Sequence, residues 1–162
     1  MAKSVLVTGA SGGIGSEICE VMSGEGFDVI GIDREPSQWT QGFASALDDP
    51  DLLTLLKRRF ELQGLTAIVH SAALQVFGDM HVQSPNVWRD VMHANLFSLN
   101  DLVGAFRSEL SSNRGAVVAV SSVHSSSTRR GIGVYAVSKA ALDGWVKSAS
   151  LELAPFVRVN SV

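Results

Sequence analysis

Short apolar runs alternate along the chain with longer stretches of helical period. Ser4 to Gly9 (SVLVTG) is apolar and β-branched and closes on glycine, the pattern of a buried strand. Ile14, Ile18, Val21 and Met22 then recur at helical spacing until Gly24 and Gly26 stop the helix. Phe27 to Asp33 (FDVIGID) predicts a second strand. A weaker stretch predicts a short strand near Phe43 to Leu47 and a helix from about Pro50 to Phe60. Thr66 to Ala73 (TAIVHSAA) predicts another buried strand. Ser84 and Pro85 open a long helix in which Trp88, Val91, Met92, Leu96, Leu99, Val103, Phe106 and Leu110 keep helical spacing. Gly115 to Ser122 predicts a strand, Tyr135 to Leu153 a helix ended by Pro155, and Val157 to Val162 a last strand. Such alternation predicts an α/β domain over residues 1–162, a doubly wound parallel sheet (Rossmann fold) of about six strands with helices on both faces.

Composition narrows the picture. The chain has 162 residues and is 46% hydrophobic, enough for one domain with a sizeable core. Its net charge is −3 and its longest charge run is Lys57-Arg58-Arg59, so no nucleic-acid footprint and no charged tail are expected. A single cysteine, Cys19, excludes an internal disulfide framework and a multi-cysteine metal site. His81, His93 and His124 have no ligand spacing with one another or with Cys19, so no metal is expected. The apolar run Val5 to Val7 is too short for a signal peptide, and no stretch approaches the ~20 apolar residues of a membrane span. The expectation is a cytoplasmic protein with no membrane partner.

The first strand runs directly into TGASGGIG, Thr8 to Gly15, and then a helix. Glycine lets a backbone turn tightly and approach a pyrophosphate, which sits on the free N–H groups of a helix start. Gly9, Gly13 and Gly15 are the close-approach positions, with Gly12 among them, and Ser11 and Ile14 sit where a hydroxyl or an amide would donate. The second strand ends in Asp33, 24 residues after Gly9. A carboxylate there accepts hydrogen bonds from the ribose hydroxyls of an adenosine and repels a 2′-phosphate, which favours NAD. Arg34 pulls the other way, since an arginine there would pair with the 2′-phosphate of NADP.

A second constellation lies further along. Tyr135 and Lys139 are four residues apart on one helix face. A free tyrosine has a pKa of about 10, and a neighbouring ammonium lowers it by favouring the phenolate. A fall of roughly 3 units corresponds to about 4 kcal/mol. Ser122 closes the preceding strand, 13 residues before Tyr135, where strand ends line a ligand crevice. Its hydroxyl would hold a substrate carbonyl beside the tyrosine. Asn95 is a polar residue among Val91, Leu96 and Leu99 and needs a partner; it would hold a water that links Lys139 to solvent. His124, two residues past Ser122, and Arg129 and Arg130 read first as loop residues and second as substrate neighbours.

With TGASGGIG, HSAA (His70 to Ala73), ANL around Asn95, VSS with Ser122, YAVSKAAL and LELAPFVRVNSV in place, the whole chain resembles the short-chain dehydrogenase/reductase family, in its shorter single-domain branch. The resemblance implies an NAD(P)-dependent oxidoreductase that moves a hydride between cofactor and a small carbonyl or alcohol. It implies a catalytic tetrad of Asn95, Ser122, Tyr135 and Lys139. Asn95, Tyr135 and Lys139 would also adjoin the nicotinamide end, Lys139 on its ribose, and Ser71 and Ala72 would border the cofactor. A homodimer or homotetramer is implied through the helices of Asn95 and Tyr135, with Trp88, Phe106, Trp145 and Val146 as seam or core residues. Departures are visible. His70-Ser71-Ala72-Ala73 stands where the family often has Asn-Asn-Ala-Gly, and His70 reads as a satisfied core histidine. The family's adenine-contacting Asp falls at Ala46, beside Leu47. A Gly9-x-x-Gly12-x-x-Gly15 reading would fit the longer branch of epimerases and dehydratases, against which the 13-residue spacing from Ser122 to Tyr135 argues. The chain stops inside its last strand where relatives continue, so a truncated nucleotide-binding module without catalysis is the rival expectation.

Overall fold

The sheet is built from strands buried on both faces. In the computed structural model, which describes residues 3–40, 45–59 and 64–162, β1 (Ser4–Thr8) is buried at every position. Leu6 points into one core while Val5 and Val7 point into the other, the two-residue period of a strand. The chain continues through α1 (Gly13–Gly24), β2 (Asp28–Ile32), a 3₁₀ turn at Gln38–Thr40, α2 (Leu52–Arg59) and β3 (Leu65–His70). Next come α3 (Pro85–Met92), a π-helical segment at His93–Phe97, α4 (Ser98–Ala105) and α5 (Arg107–Ser112). β4 (Ala116–Ala119), a 3₁₀ turn at Val123–Ser125, α6 (Gly133–Glu152) and β5 (Arg158–Ser161) complete it. The strands are parallel in the order β2-β1-β3-β4-β5.

The larger core packs Leu6, Ile30, Ile68, Val117 and Val159 of the sheet against Leu99, Leu102, Phe106, Leu142 and Val146 of the later helices. The smaller one packs Val5, Val7, Val29 and Val69 around Cys19 of α1. Helices therefore lie on both faces, as the doubly wound expectation requires. Phe106 and Val146 are core residues rather than seam residues. In register, Thr8 stands opposite Ile32 and His70, His70 opposite Ala119, and Ala119 opposite Ser161. All five strands thus end on one row, and the loops that leave it share one rim.

Two expectations change. The sheet has five strands among the described residues, not about six. Of the strand expected near Phe43 to Leu47, Phe43 and Ala44 lie outside the described residues. Ser45 to Leu47 are not in a strand, because the Ser45 amide donates to Asp33 O and its hydroxyl to Asp49, folding the segment into a turn. The helix opened by Pro85 is also not continuous. Ser84 caps it, accepting from Val87 N, but the π segment and a break at Phe106, with φ −116°, divide it.

Candidate active site

The loops after β1, β2 and β3 enclose a cavity of about 740 Å³, walled in part by the glycine loop, Asp33, Ser71 and Ala72. It opens at the switch point where β1 has β2 on one side and β3 on the other, the position at which doubly wound sheets form a crevice. Gly9 has φ +71°, and a Cβ there would lie 2.8 Å from Ala72 N. At Gly15 a Cβ would lie 1.9 Å from Gly9 O, so α1 seats on the loop only with glycine at that position. Gly13 is different: a Cβ there would meet nothing within 4 Å. The fold leaves this spot open toward the cavity, as a closely approaching ligand needs. The α1 N-cap is Gly12, which has no side chain to cap the first turn, so the leading amides of the helix keep their donors.

Asp33 leaves β2 and ties the loop together. Its Oδ2 accepts from Ser11 N at 3.0 Å and its Oδ1 from Glu35 N at 3.1 Å, while Ser11 Oγ donates to Glu35 O at 2.7 Å. Ser11 is therefore spent on bracing the loop and is not among the residues that wall the cavity; Gly9, Gly12, Gly13, Ile14, Gly15, Asp33, Arg34, Leu47, Ser71 and Ala72 are.

The second constellation adjoins the cavity through Leu74 and Ala94, which wall it. Asn95 is buried in the π segment. Its Oδ1 accepts from Leu74 N at 2.6 Å, and its Nδ2 donates to Leu74 O at 3.1 Å and to Ser138 Oγ at 2.8 Å. Ser138 in turn donates to Tyr135 O at 2.7 Å, so Asn95 is linked to the turn of α6 that carries Tyr135. Lys139 is 1% exposed and its Nζ donates to Val120 O at 2.7 Å. The same ammonium lies 5.8 Å from the centroid of the Tyr135 ring. Burial drives its pKa down, Asp143 opposes the fall, and it settles at about 8. Ser122 Oγ accepts from His124 N at 3.2 Å, which leaves its own proton free to donate. The His124 ring meets the Tyr135 ring edge-on at 6.4 Å. The start of α6 is fixed from outside: Gly78 N donates to Gly131 O at 2.8 Å, and a lone parallel bridge pairs Gly78 with Ile132.

His70 is buried, as read from the sequence, but only one ring nitrogen is satisfied. Its Nδ1 meets Thr8 Oγ1 at 2.8 Å, and Nε2 has no direct partner. Thr8 Oγ1 also accepts from Ala72 N at 3.2 Å. Burial, with the Lys139 charge adding to it, lowers the His70 pKa to about 4 against the opposing backbone carbonyls of Ala94 and Asn95.

Some residues of this site carried no signal in the sequence. Leu74 gives Asn95 two backbone partners from 21 residues away. Arg89, Asp90 and His93 wall the cavity from α3 and the π segment, although polar positions on an amphipathic helix read as a solvated face. Ser138 stood inside the YAVSK motif, and its place three residues after Tyr135 was the one available hint.

A glycine loop on a parallel sheet, an acidic residue at the end of the next strand and a half-buried tyrosine beside a buried lysine at the same rim define a protein of the dinucleotide-binding α/β class. Comparisons narrow this. The family model described as Enoyl-(Acyl carrier protein) reductase matches residues 9–162. The Uncharacterized oxidoreductase YbbO of Escherichia coli (strain K12) is 31% identical over 94% of this chain, which spans 61% of that relative's length. An oxidoreductase of the short-chain dehydrogenase/reductase family from Brucella ovis, solved in complex with a partially ordered NAD, superposes with a TM-score of 0.88 at 27% identity, covering 99% of this chain and 82% of that one. An apo SCOR enzyme from Clostridium thermocellum shares the fold, with a TM-score of 0.91 at 23% identity, covering 99% of this chain and 71% of that one. The chain belongs to the short-chain dehydrogenase/reductase family. No helix among the described residues is long and apolar enough to cross a membrane.

Proposed function

We propose that the chain carries the nucleotide-binding and catalytic core of an NAD(P)-dependent oxidoreductase that interconverts a small carbonyl compound and its alcohol. The observation that carries this reading is the buried Lys139 ammonium, fixed at 2.7 Å on Val120 O and set 5.8 Å from the Tyr135 ring centroid, beside the glycine-loop cavity. The cavity fits a dinucleotide: its 740 Å³, the open side of Gly13 and the uncapped start of α1 suit a pyrophosphate. Gly12 to Gly15 would hold that group, Asp33 the adenosine ribose, Leu47 the adenine side, and Ser71 and Ala72 the middle. When bound, the nicotinamide supplies or accepts the hydride.

The chain's own residues handle the proton. Tyr135 gives its phenolic proton to the carbonyl oxygen in reduction and takes one from the alcohol in oxidation. Lys139 stabilises the phenolate left behind. Ser122, whose hydroxyl proton is free, donates to the substrate oxygen and orients it. Both N–H donors of the Asn95 amide are taken by Leu74 O and Ser138 Oγ, so Asn95 serves by holding the π segment against α6, and towards a relay water it has only the second lone pair of Oδ1 to offer. Asp33 favours NAD over NADP. Phe97 and Val137, 46% and 42% exposed on the segments of Asn95 and Tyr135, suit a homodimer or homotetramer through that face.

Two experiments test the reading. Melting this chain with NAD(H) and NADP(H) separately should show a shift with NAD(H), since a ligand at a hundred times its Kd adds about 2.7 kcal/mol. No shift with either nucleotide sinks the cofactor assignment. Tyr135→Phe should then lower kcat/KM for carbonyl reduction by at least about a hundredfold without changing the NAD(H) melt shift. Substantial turnover in that variant removes Tyr135 from the acid role.

A further inference from the structure

Tyr135 sits where its own helix holds it least. α6 begins at Gly133, and Tyr135 is its third residue. The first bond of the helix ladder runs from Ala136 N to Ile132 O at 2.9 Å, one residue beyond the tyrosine. The Tyr135 amide therefore belongs to the opening turn, whose donors have no partner inside the helix. The sequence does little to strengthen that turn. Ile132 stands at the N-cap, where an aliphatic side chain cannot accept from the leading amides. The first turn carries no acidic residue to meet the helix dipole. Gly133, at the first helical position, is a weak helix former. A helix with such an opening frays from this end unless something outside it holds the turn.

Support comes from the segment that follows β3. At one end, Leu74 meets Asn95 through both its N–H and its carbonyl. Four residues on, Gly78 N donates to Gly131 O at 2.8 Å, and Gly78 pairs with Ile132 in a parallel bridge. Two residues further, Met80 lies against Gly133: a Cβ on that glycine would come 2.6 Å from Met80 Sδ and 2.9 Å from Met80 Cβ. Residues 131, 132 and 133 are thus each met by residues 78–80. The turn beyond braces this position. Val82 N donates to Asp79 O at 3.2 Å, His81 N to Asp79 Oδ1 at 3.0 Å and Gln83 Nε2 to Phe77 O at 3.3 Å. Ile132 and Val134, which flank Gly133, are buried.

Resting on the reading of Tyr135 as the proton donor, we propose that segment 74–80 is the strap that sets the position of Tyr135, with Met80 as its positioning residue. The strap stands in for the cap that α6 lacks. It takes its own placement from Asn95 at Leu74 and passes it through Gly78 and Met80 to the turn that carries the tyrosine. Asn95 then reaches Tyr135 by two routes, through Ser138 from within α6 and through the strap from outside it.

The sign of one substitution tests this. Alanine in place of glycine ordinarily favours a helix. Gly133→Ala here drives a methyl group into Met80, so it should displace the opening turn instead. Tyr135 is the only tyrosine of the chain, so its ring gives one set of NMR resonances and needs neither cofactor nor substrate. The His124 ring, edge-on to it at 6.4 Å, makes those resonances sensitive to the position of the turn. In Gly133→Ala they should move, and kcat for carbonyl reduction should fall about tenfold or more with the NAD(H) melt shift retained. Adding Met80→Ala, which removes the Sδ and Cγ atoms from the contact, should bring both back most of the way. Unmoved resonances or an unchanged kcat in Gly133→Ala overturn the proposal. So does an effect of the same size with and without Met80→Ala, because such additivity places its cause in α6 alone. Should Gly133→Ala fail to fold, amide exchange in the unmodified protein decides. The Gly78 amide should exchange as slowly as that of Ala136, and exchange more than about tenfold faster at Gly78 overturns the proposal. Absence of turnover in the unmodified chain counts against the proposed function, while the Tyr135 resonances and the Gly78 amide still read the strap.

Discussion

Acid should unfold this protein through His70. The ring is buried and uncharged, with a pKa near 4 where a free histidine has 6.5. Below pH 6.5 the unfolded chain binds a proton at this site that the folded chain refuses, so stability falls as pH falls through this window. Between pH 7 and pH 4.5 the two pKa values imply a loss of roughly 2.5 kcal/mol from this residue alone. For a domain of this size that is about 5 to 10 °C in Tm. The assay is urea unfolding of the unmodified chain and of His70→Asn at pH 7, 5.5 and 4.5. Carboxylates contribute to both chains alike, so the difference between the two pH slopes isolates the histidine. The unmodified chain should lose about 2.5 kcal/mol more than the variant over that interval. Parallel slopes would show that His70 protonates in place without cost, and the argument from its burial and from the Lys139 charge would be wrong.

Two further substitutions test the geometry. Asn95→Ala strands Leu74 N, Leu74 O and Ser138 Oγ in a buried site; by urea unfolding it should cost about 2 to 4 kcal/mol. A loss under about 0.5 kcal/mol would mean that these bonds are replaced by water. Gly15→Ala brings a methyl group to 1.9 Å from Gly9 O, so α1 must lift off the loop. The expected result is a fall in stability of about 2 kcal/mol or more together with loss of the nucleotide melt shift; a variant that melts and binds like the parent refutes the seating of α1.

The strands were legible because a strand buried on both faces reads as an unbroken apolar run. Their ends were not. The sequence pattern carries β3 on to Ala73 and β4 on to Ser122, yet the ladders stop at His70 and Ala119. The overshooting residues are small or apolar, so nothing local separates them from strand. Ser71, Val120 and Ser121 still donate from their amides across to neighbouring strand ends, but the ladder closes where Thr8 Oγ1 takes Ala72 N and Lys139 takes Val120 O, contacts 64 and 19 residues apart in the chain. The apolar period from Trp88 to Leu110 was likewise real, since it reports which face is buried. It is silent about hydrogen-bond register, and the π segment is where Asn95 makes its bonds to Leu74. The glycine loop, Asp33 and the Tyr135–Lys139 spacing were legible because each is a local pattern with a local physical cause.

The residues that escaped that reading are the ones that join the two halves of the site. Thr8 belongs to the glycine-loop strand, and its hydroxyl serves both Ala72 N and the His70 ring. The His70 ring also feels the backbone carbonyls of Ala94 and Asn95 and the charge of Lys139. Asn95 passes the constraint to Ser138 and so to the Tyr135 turn of α6. The loop that would cradle the cofactor and the pair that would move the proton therefore rest on one buried polar row. Such a row has few ways to relax, because each member has its alternatives removed by burial. A neutral histidine suits its centre: a charged ring beside the Lys139 ammonium would drive apart the groups that the rest of the row holds together.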